Sequence, residues 1–369
     1  MVNSMGGRRR ACEIGITIGS LEAGRLNAIT DVEGVGVGHS TIIRGEGPLK
    51  IGEGPVRTGV TAIVPHQGNP YDEKVVAAVD VFNAYGKSVG LLQIAHMGTI
   101  ETPILLTDTL NTWIVADCLV SYMYEIYGVN APSINPVVGE TNGSFLNDSI
   151  GRHVRRNHVF EALDMARSPE GMGVVPEGNV GGGTPMSAFG FKGGIGTASR
   201  KTDYFTLGIL VQLNCGRMED LRVDGVPVGK ELIGTHTQGS DARGSVIIIM
   251  ATDLELTSRQ LWKVLRRTFL GIARLGHYGN VGSGDYAIGF TTSRRSLQEA
   301  FRIPRVEKGR FLREEGYLDL VFRAAVEATE EAALNALFMA ETMVGRDFNK
   351  REGIPIDRVL EILKKYGRL

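Results

Sequence analysis

Gly244 and Ser245 stand at the mouth of the apolar run V-I-I-I-M, Val246 to Met250. A hydroxyl behind a flexible glycine, at the first position of a buried strand, suits a chain that cuts its own backbone. The serine oxygen attacks the Gly244 carbonyl, the acyl group moves from nitrogen to oxygen, and water releases a new N-terminal serine. That residue then carries both nucleophile and base, because an α-amine of pKa about 7.7–8.0 is partly neutral near pH 7. On the dipeptide alone, a Gly-Ser turn entering a core strand is the plainer account. The other polar clusters decide between the two.

Four clusters end or begin apolar runs. G-E-T-N-G-S-F-L-N-D, Gly139 to Asp148, follows Ile134 to Val138, and its Glu140 could hold a substrate ammonium by a charge-assisted hydrogen bond. A turn with local Asn and Asp bonding explains the same letters. V-Q-L-N-C-G, Val211 to Gly216, closes a strand, and Asn214 could donate an N–H to a developing oxyanion. G-N-V-G-S-G-D-Y-A-I-G-F, Gly279 to Phe290, places Ser283 and Asp285 two apart, hence on one face of an extended segment. The pair could form a relay toward Ser245; an exposed Gly-rich hairpin is the alternative. The fourth cluster, Gly178 to Arg200, invites a phosphate-loop reading with Lys192 as cation, but it lacks G-x-x-x-x-G-K-[ST]. Gly34, Gly36 and Gly38 fail the dinucleotide test, since no helical periodicity follows them. The seven histidines show no metal-ligand spacing and read as surface or structural groups, so no metal is expected. No G-x-S-x-G surrounds any serine.

These clusters need elements to hold them. Short apolar runs predict strands over Cys12–Ile18, Val35–Ser40, Val60–Val64, Val89–Ala95, Phe205–Leu213, Val246–Ala251 and Tyr286–Thr291. Helical patterns cover about Lys74–Tyr85, Leu105–Tyr127, Leu261–Leu275, Leu318–Met343 and Ile356–Lys365. Thr257–Gln260 carries capping-box spacing before the third of these. Doubly buried strands and one-sided helices are both satisfied by two sheets covered by helices on their outer faces. Met218 to Arg243 is the longest loop-like stretch, and it runs up to the candidate cleavage bond. No internal repeat or linker divides the chain.

The composition excludes several classes. With 369 residues, 43% hydrophobic and 22% charged, the chain can bury a large core. A net charge of -1 makes no electrostatic case for nucleic acid or an anionic membrane. No apolar stretch follows Arg8–Arg10, so no signal peptide is expected, and no run is long enough for a membrane helix. Cys12, Cys118 and Cys215 lie far apart, which fits buried thiols in a reducing compartment and a cytoplasmic location. The 49 glycines sit in short clusters between apolar segments, as tight turns at strand ends would require.

In order, the motifs G-E-T-N…L-N-D, G-N-V-G-G-G-T-P…F-K-G-G-I-G-T-A-S-R, V-Q-L-N, R-G-S-V-I and G-S-G-D resemble the DmpA-like aminopeptidases. That group holds the L-aminopeptidase/D-esterases and the β-aminopeptidases. The resemblance runs from about Arg25 to about Met343. It implies a precursor that cleaves between Gly244 and Ser245, leaving chains 1–244 and 245–369 together in one hydrolase domain. It also implies a four-layer αββα sandwich, similar to N-terminal nucleophile hydrolases but differently connected, and a homo-oligomer, often a tetramer, without cofactor. The family roles fall on Ser245 as nucleophile, Asn214 in the oxyanion site, and Ser283 with Asp285 as assistants. The family acid is Glu, so Asp285 is one carbon shorter. Phe145 stands near where some relatives are expected to carry a tyrosine hydroxyl donor, which Phe cannot replace.

The reading is therefore a self-processing serine aminopeptidase that releases N-terminal residues of L, D or β type from short peptides, amides or esters. Two rivals remain. An acyltransferase of the ornithine acetyltransferase type is one, although those place Thr at the new N-terminus. A non-catalytic small-molecule or phosphate-binding protein is the other.

Overall fold

A computed structural model describes residues 7–233, 244–293 and 315–369, excepting the side chains of 315–317. The strands are β1 (Gly36–Arg44), β2 (Val56–Val64), β3 (Val75–Ala84), β4 (Thr99–Ile100), β5 (Ile104–Asp108), β6 (Val137–Thr141), the short pair β7 (Ser187–Ala188) and β8 (Phe191–Lys192), β9 (Gly194–Lys201), β10 (Thr206–Asn214), β11 (Ser245–Thr252) and β12 (Gly284–Thr291). The helices are α1 (Leu91–Met97), α2 (Thr112–Glu125), α3 (Arg156–Ala166), α4 (Val228–Leu232), α5 (Ser258–Arg274), α6 (Glu315–Phe338) and α7 (Ile356–Lys365).

Two sheets carry the fold. One has the order β1-β2-β5-β6 and the other β4-β3-β12-β11-β10-β9. Between them lies an apolar layer that includes Ile63, Ile104, Leu106, Val137, Ile247, Ile249 and Phe290. The first sheet's outer face, with Val60, Ala62 and Val64, packs on Leu119 of α2 and Leu163 of α3. The second sheet's outer face, with Val246, Ile248 and Met250, packs on α5, α6 and α7 through residues such as Leu261, Leu265, Ala328 and Ile362. The result is the expected four-layer αββα sandwich. Strand β11 is buried at all eight positions, as its unbroken apolar run requires.

Four of the expected elements take another form. Lys74–Tyr85 reads as a helix because of its alanines, but V-V-A-A-V-D-V-F forms strand β3, paired with β12 and β4. Tertiary pairing here overrides local propensity. Val89–Ala95 reads as a strand and is instead the start of α1, whose Leu92 is exposed and whose Ile94 is buried. A short apolar run does not distinguish the two by period. Cys12–Ile18 holds a single 3-10 turn, Cys12–Ile14; Ile14, Ile16 and Ile18 are buried in alternation, but no strand pairs with them. The pattern over Leu105–Tyr127 divides into β5 and α2, with Asp108 at the junction accepting from the Thr109 N–H. The part of the Met218–Arg243 stretch at 234–243 lies outside the described residues, while α4 occupies its middle.

Helix α5 begins as its letters require. The Thr257 hydroxyl accepts from Gln260 N–H and the Gln260 side chain accepts from Thr257 N–H at 2.9 Å. Thr257→Ala is expected to lower unfolding free energy by about 1 kcal/mol in a urea titration. Any activity at Ser245 should be unchanged, since this cap lies at the end of α5 away from strand β11's first residue.

Candidate active site

The pleat of the six-stranded sheet sorts the polar residues. Asn214 of β10 pairs directly with Ser245 of β11, so their side chains share a face. Val246 pairs with Asp285 of the parallel strand β12, which puts Asp285 on the opposite face, with Ser283 two residues before it. Odd positions of β11 face the other sheet and even positions face the helices. Ser245 and Asn214 therefore open between the sheets, whereas Ser283 and Asp285 lie behind them.

On the inner side, Ser245 is 8% exposed and its Oγ accepts from the Gly284 N–H at 2.9 Å. Gly284 has to be a glycine: a Cβ there would lie 2.5 Å from Gly86 N and 3.4 Å from Ser245 Oγ. The Asn214 amide is held in one orientation. Its Oδ1 accepts from Ser187 N–H at 2.8 Å, and its Nδ2 donates to Asn142 O at 3.1 Å. A primary amide has two N–H groups, so the bond to Asn142 uses only one of them. Gly244 passes so close to β10 that a Cβ would sit 1.8 Å from Asn214 O.

Behind Ser245, the wholly buried Asp285 accepts from Val246 N–H at 3.0 Å through Oδ1. Its Oδ2 lies 2.6 Å from Ser283 Oγ and 2.9 Å from His277 Nε2. Ser283 Oγ also accepts from Asn83 Nδ2 at 3.0 Å and stands 2.8 Å from Asn280 O. A hydroxyl has one proton, and the shorter, charged acceptor claims it. The expected relay from Ser283 to the Ser245 hydroxyl is thus indirect. The pair grips the peptide that follows Ser245 rather than its Oγ, because the parallel register is offset by one residue.

The wall from β6 is built around Asp108. This buried carboxylate accepts from Gly143 N–H, Thr109 N–H, Asn147 Nδ2 and the Ser149 hydroxyl. Burial pushes its pKa up from the ordinary value, and those four donors oppose the shift. Glu140 is also buried, which raises its pKa. One oxygen accepts from Lys87 N–H at 2.7 Å and the other from the Thr109 hydroxyl. Any substrate ammonium would share these oxygens. Glu140 N–H donates to the Tyr286 hydroxyl at 3.0 Å, which ties the two sheets together beside the site. The half-buried Phe145 has its ring under the Arg351 guanidinium, 3.7 Å from the ring centre, and supplies no donor.

The sequence reading passed over His277, Asn83, Asp108 and Gln212. Gln212 donates to Thr107 O and Thr141 Oγ1 between the sheets, two residues before Asn214 on the same face. Spacing rules could not flag His277, since it is neither i+3 nor i+4 from another ligand. Its nearness to the G-S-G-D cluster was the available signal. The structure agrees with the sequence in giving Gly178–Arg200 no phosphate-loop cation. Lys192 is fully buried on β8, and its Nζ donates to Gly183 O and Gly193 O at 3.1 and 2.7 Å. Among the described residues no group of three or more His, Cys, Asp or Glu could hold a metal, and no helix is long and apolar enough to cross a membrane.

A double sheet between helices, with a buried serine heading its central strand, is the frame of a layered α/β hydrolase. Known proteins share it. The fold is similar to the L-aminopeptidase D-Ala-esterase/amidase of Ochrobactrum anthropi, described as a prototype for the serine aminopeptidases and a new variant among the Ntn hydrolase fold. The TM-score is 0.85 at 38% identity, over 98% of this chain and 99% of that one. The PH0078 protein of Pyrococcus horikoshii OT3 matches with TM-score 0.87 at 46% identity, over 98% and 100%. The beta-peptidyl aminopeptidase BapA of Sphingosinicella microcystinivorans is 38% identical over 98% of this chain and 93% of its own length. The family model of peptidase family S58 matches residues 27–351, and the chain belongs to that family: it is a serine-type aminopeptidase. Neither the acyltransferase nor the non-catalytic binding reading is supported.

Burial holds the Lys192 pKa well below its ordinary value. The unfolded chain then binds more protons, so this group adds stability as pH rises toward the unfolded lysine pKa of about 10.4. The unfolding free energy of the native protein minus that of Lys192→Met should increase between pH 7 and 10 in paired denaturant titrations. A flat difference would mean that the buried amine keeps its proton.

Proposed function

We propose that the chain is a single self-processing domain, cut between Gly244 and Ser245 into segments 1–244 and 245–369. In the cleavage, Ser245 Oγ attacks the Gly244 carbonyl carbon, the C–N bond breaks, and the Ser245 nitrogen takes up the proton. Water then hydrolyses the ester, leaving a Gly244 carboxylate and a free Ser245 α-amine. The tight passage of Gly244 against Asn214 O supports this bond as the one under constraint.

The same oxygen then serves turnover. It attacks the carbonyl of a substrate's first residue while the α-amine accepts its proton, and the amine or alcohol leaving group departs with a proton returned. Water releases the amino acid from the acyl-enzyme. The orientation of the Asn214 amide, locked by Ser187 and Asn142, is the observation that carries this reading. It aims an N–H into the space beside Ser245 where an oxyanion would form. Ser283 and Asp285 hold the strand from behind. Glu140 adds negative charge for the substrate ammonium, which favours substrates with a free N-terminus.

The substrate class is short peptides, amides or esters of L-, D- or β-amino acids, as the names of the relatives suggest. Three cysteines without a disulfide support a cytoplasmic location. Exposed apolar side chains such as Val281, Tyr85 and Tyr278 support a homo-oligomer.

Intact-mass spectrometry of the native protein should give fragments 1–244 and 245–369, and Ser245→Ala should give one uncut, inactive chain. An uncut native protein that still hydrolyses amino-acyl p-nitroanilides would overturn the processing step. Asn214→Ala should lower kcat on the same substrates by on the order of 10²–10³-fold, with little change in KM. Equal losses in kcat/KM through KM alone would reassign Asn214 to ground-state binding.

A further inference from the structure

Asp285 is fully buried, and two of its three partners, Val246 N–H and the Ser283 hydroxyl, are neutral. A buried carboxylate served only by neutral donors is costly. The third partner is different. His277, itself 5% exposed, places Nε2 2.9 Å from Asp285 Oδ2, the one basic side chain within ion-pair reach of that carboxylate among the described residues. His277 Nδ1 has no hydrogen-bond partner of good geometry, and the buried Cys215 thiol is the other group that acts on the ring.

The chain of contacts leads straight to the nucleophile. Asp285 Oδ1 holds the nitrogen of Val246, the peptide that directly follows Ser245. The β11–β12 ladder begins at this same pair, Val246 with Asp285, so the side chain reinforces its first rung. Whatever orients Asp285 therefore acts on the peptide that follows Ser245. We propose that His277 is a positioning residue for the serine nucleophile, supplying the countercharge that locks Asp285 onto the Val246 peptide and so sets Ser245 Oγ in line. The inference rests on Ser245 being the nucleophile.

Burial alone would remove the proton from His277. The Cys215 sulfur and the Asp285 carboxylate oppose it and raise the imidazole pKa above its ordinary value. The groups facing the ring are Asp285 and Cys215, with Glu219, Asp220, Arg222, Lys230 and Tyr278 lining the adjoining cavity. That cavity, about 500 Å³ and floored by Phe82 and Phe269, gives small solutes a route to the His277 position.

The test compares native protein, His277→Ala, His277→Gln and Ser245→Ala by melting temperature, extent of cleavage, and kcat and KM on an amino-acyl p-nitroanilide. His277→Ala should lose on the order of 10²-fold in kcat, as a displacement of about 1 Å would cause, with KM held within a few-fold. Added imidazole should restore kcat toward the native value in His277→Ala and do nothing to the native enzyme. His277→Gln keeps an N–H donor without charge and should fall between. A kcat for His277→Ala within twofold of native, or a loss that imidazole leaves unchanged in a folded, cleaved protein, overturns the proposal. If His277→Ala does not fold, His277→Gln decides: native kcat at native melting temperature overturns it, and a tenfold or greater loss supports it. Turnover by Ser245→Ala would instead defeat the nucleophile assignment, so the two failures are distinguishable.

Discussion

The bond from Val246 N–H to the Asp285 carboxylate fixes how the candidate site is framed. It joins two parallel strands through a side chain at the point where Ser245's strand begins. It also explains why charged and hydroxylic groups gather on the helix side of a sheet whose neighbours there are apolar. Remove that carboxylate and the Val246 N–H loses its side-chain acceptor at the start of β11. The active side of the sheet depends on what is buried behind it.

The two faces divide the labour. Toward the other sheet, Ser245, Asn214 and the Gly284 N–H form a small polar opening at the end of an apolar layer. Low polarity there strengthens each hydrogen bond that a reacting carbonyl would accept. Toward the helices, Asp285, Ser283, His277 and Asn83 form a hydrogen-bonded network. Asp108 does similar work for the wall from β6, tying the segment from Gly143 to Ser149 by three donors. Nearly every group near the nucleophile is thus held by backbone of a different element.

Much of this was legible in the letters. Ser245, Asn214, Ser283 and Asp285 all sit at ends of apolar strands, and strand ends are where a layered α/β fold gathers side chains. The T-S-R-Q cap and the β11 run were readable because capping and double burial act over a few residues. The helix expected over Lys74–Tyr85 was not, since strand β3 exists only through its partners β12 and β4. His277 was passed over because nothing in its local spacing reports that α5 ends beside Asp285.

The sequence by itself determined the family, the two-layered burial and the order of the polar clusters, because each rests on local pattern or on motifs read along the chain. Only the tertiary structure decided which side of the sheet each cluster serves. Ser283 and Asp285 look like a relay to the serine hydroxyl on paper. A one-residue offset in a parallel ladder turns them to the opposite face, and pairing register is a relation between strands that no single strand encodes.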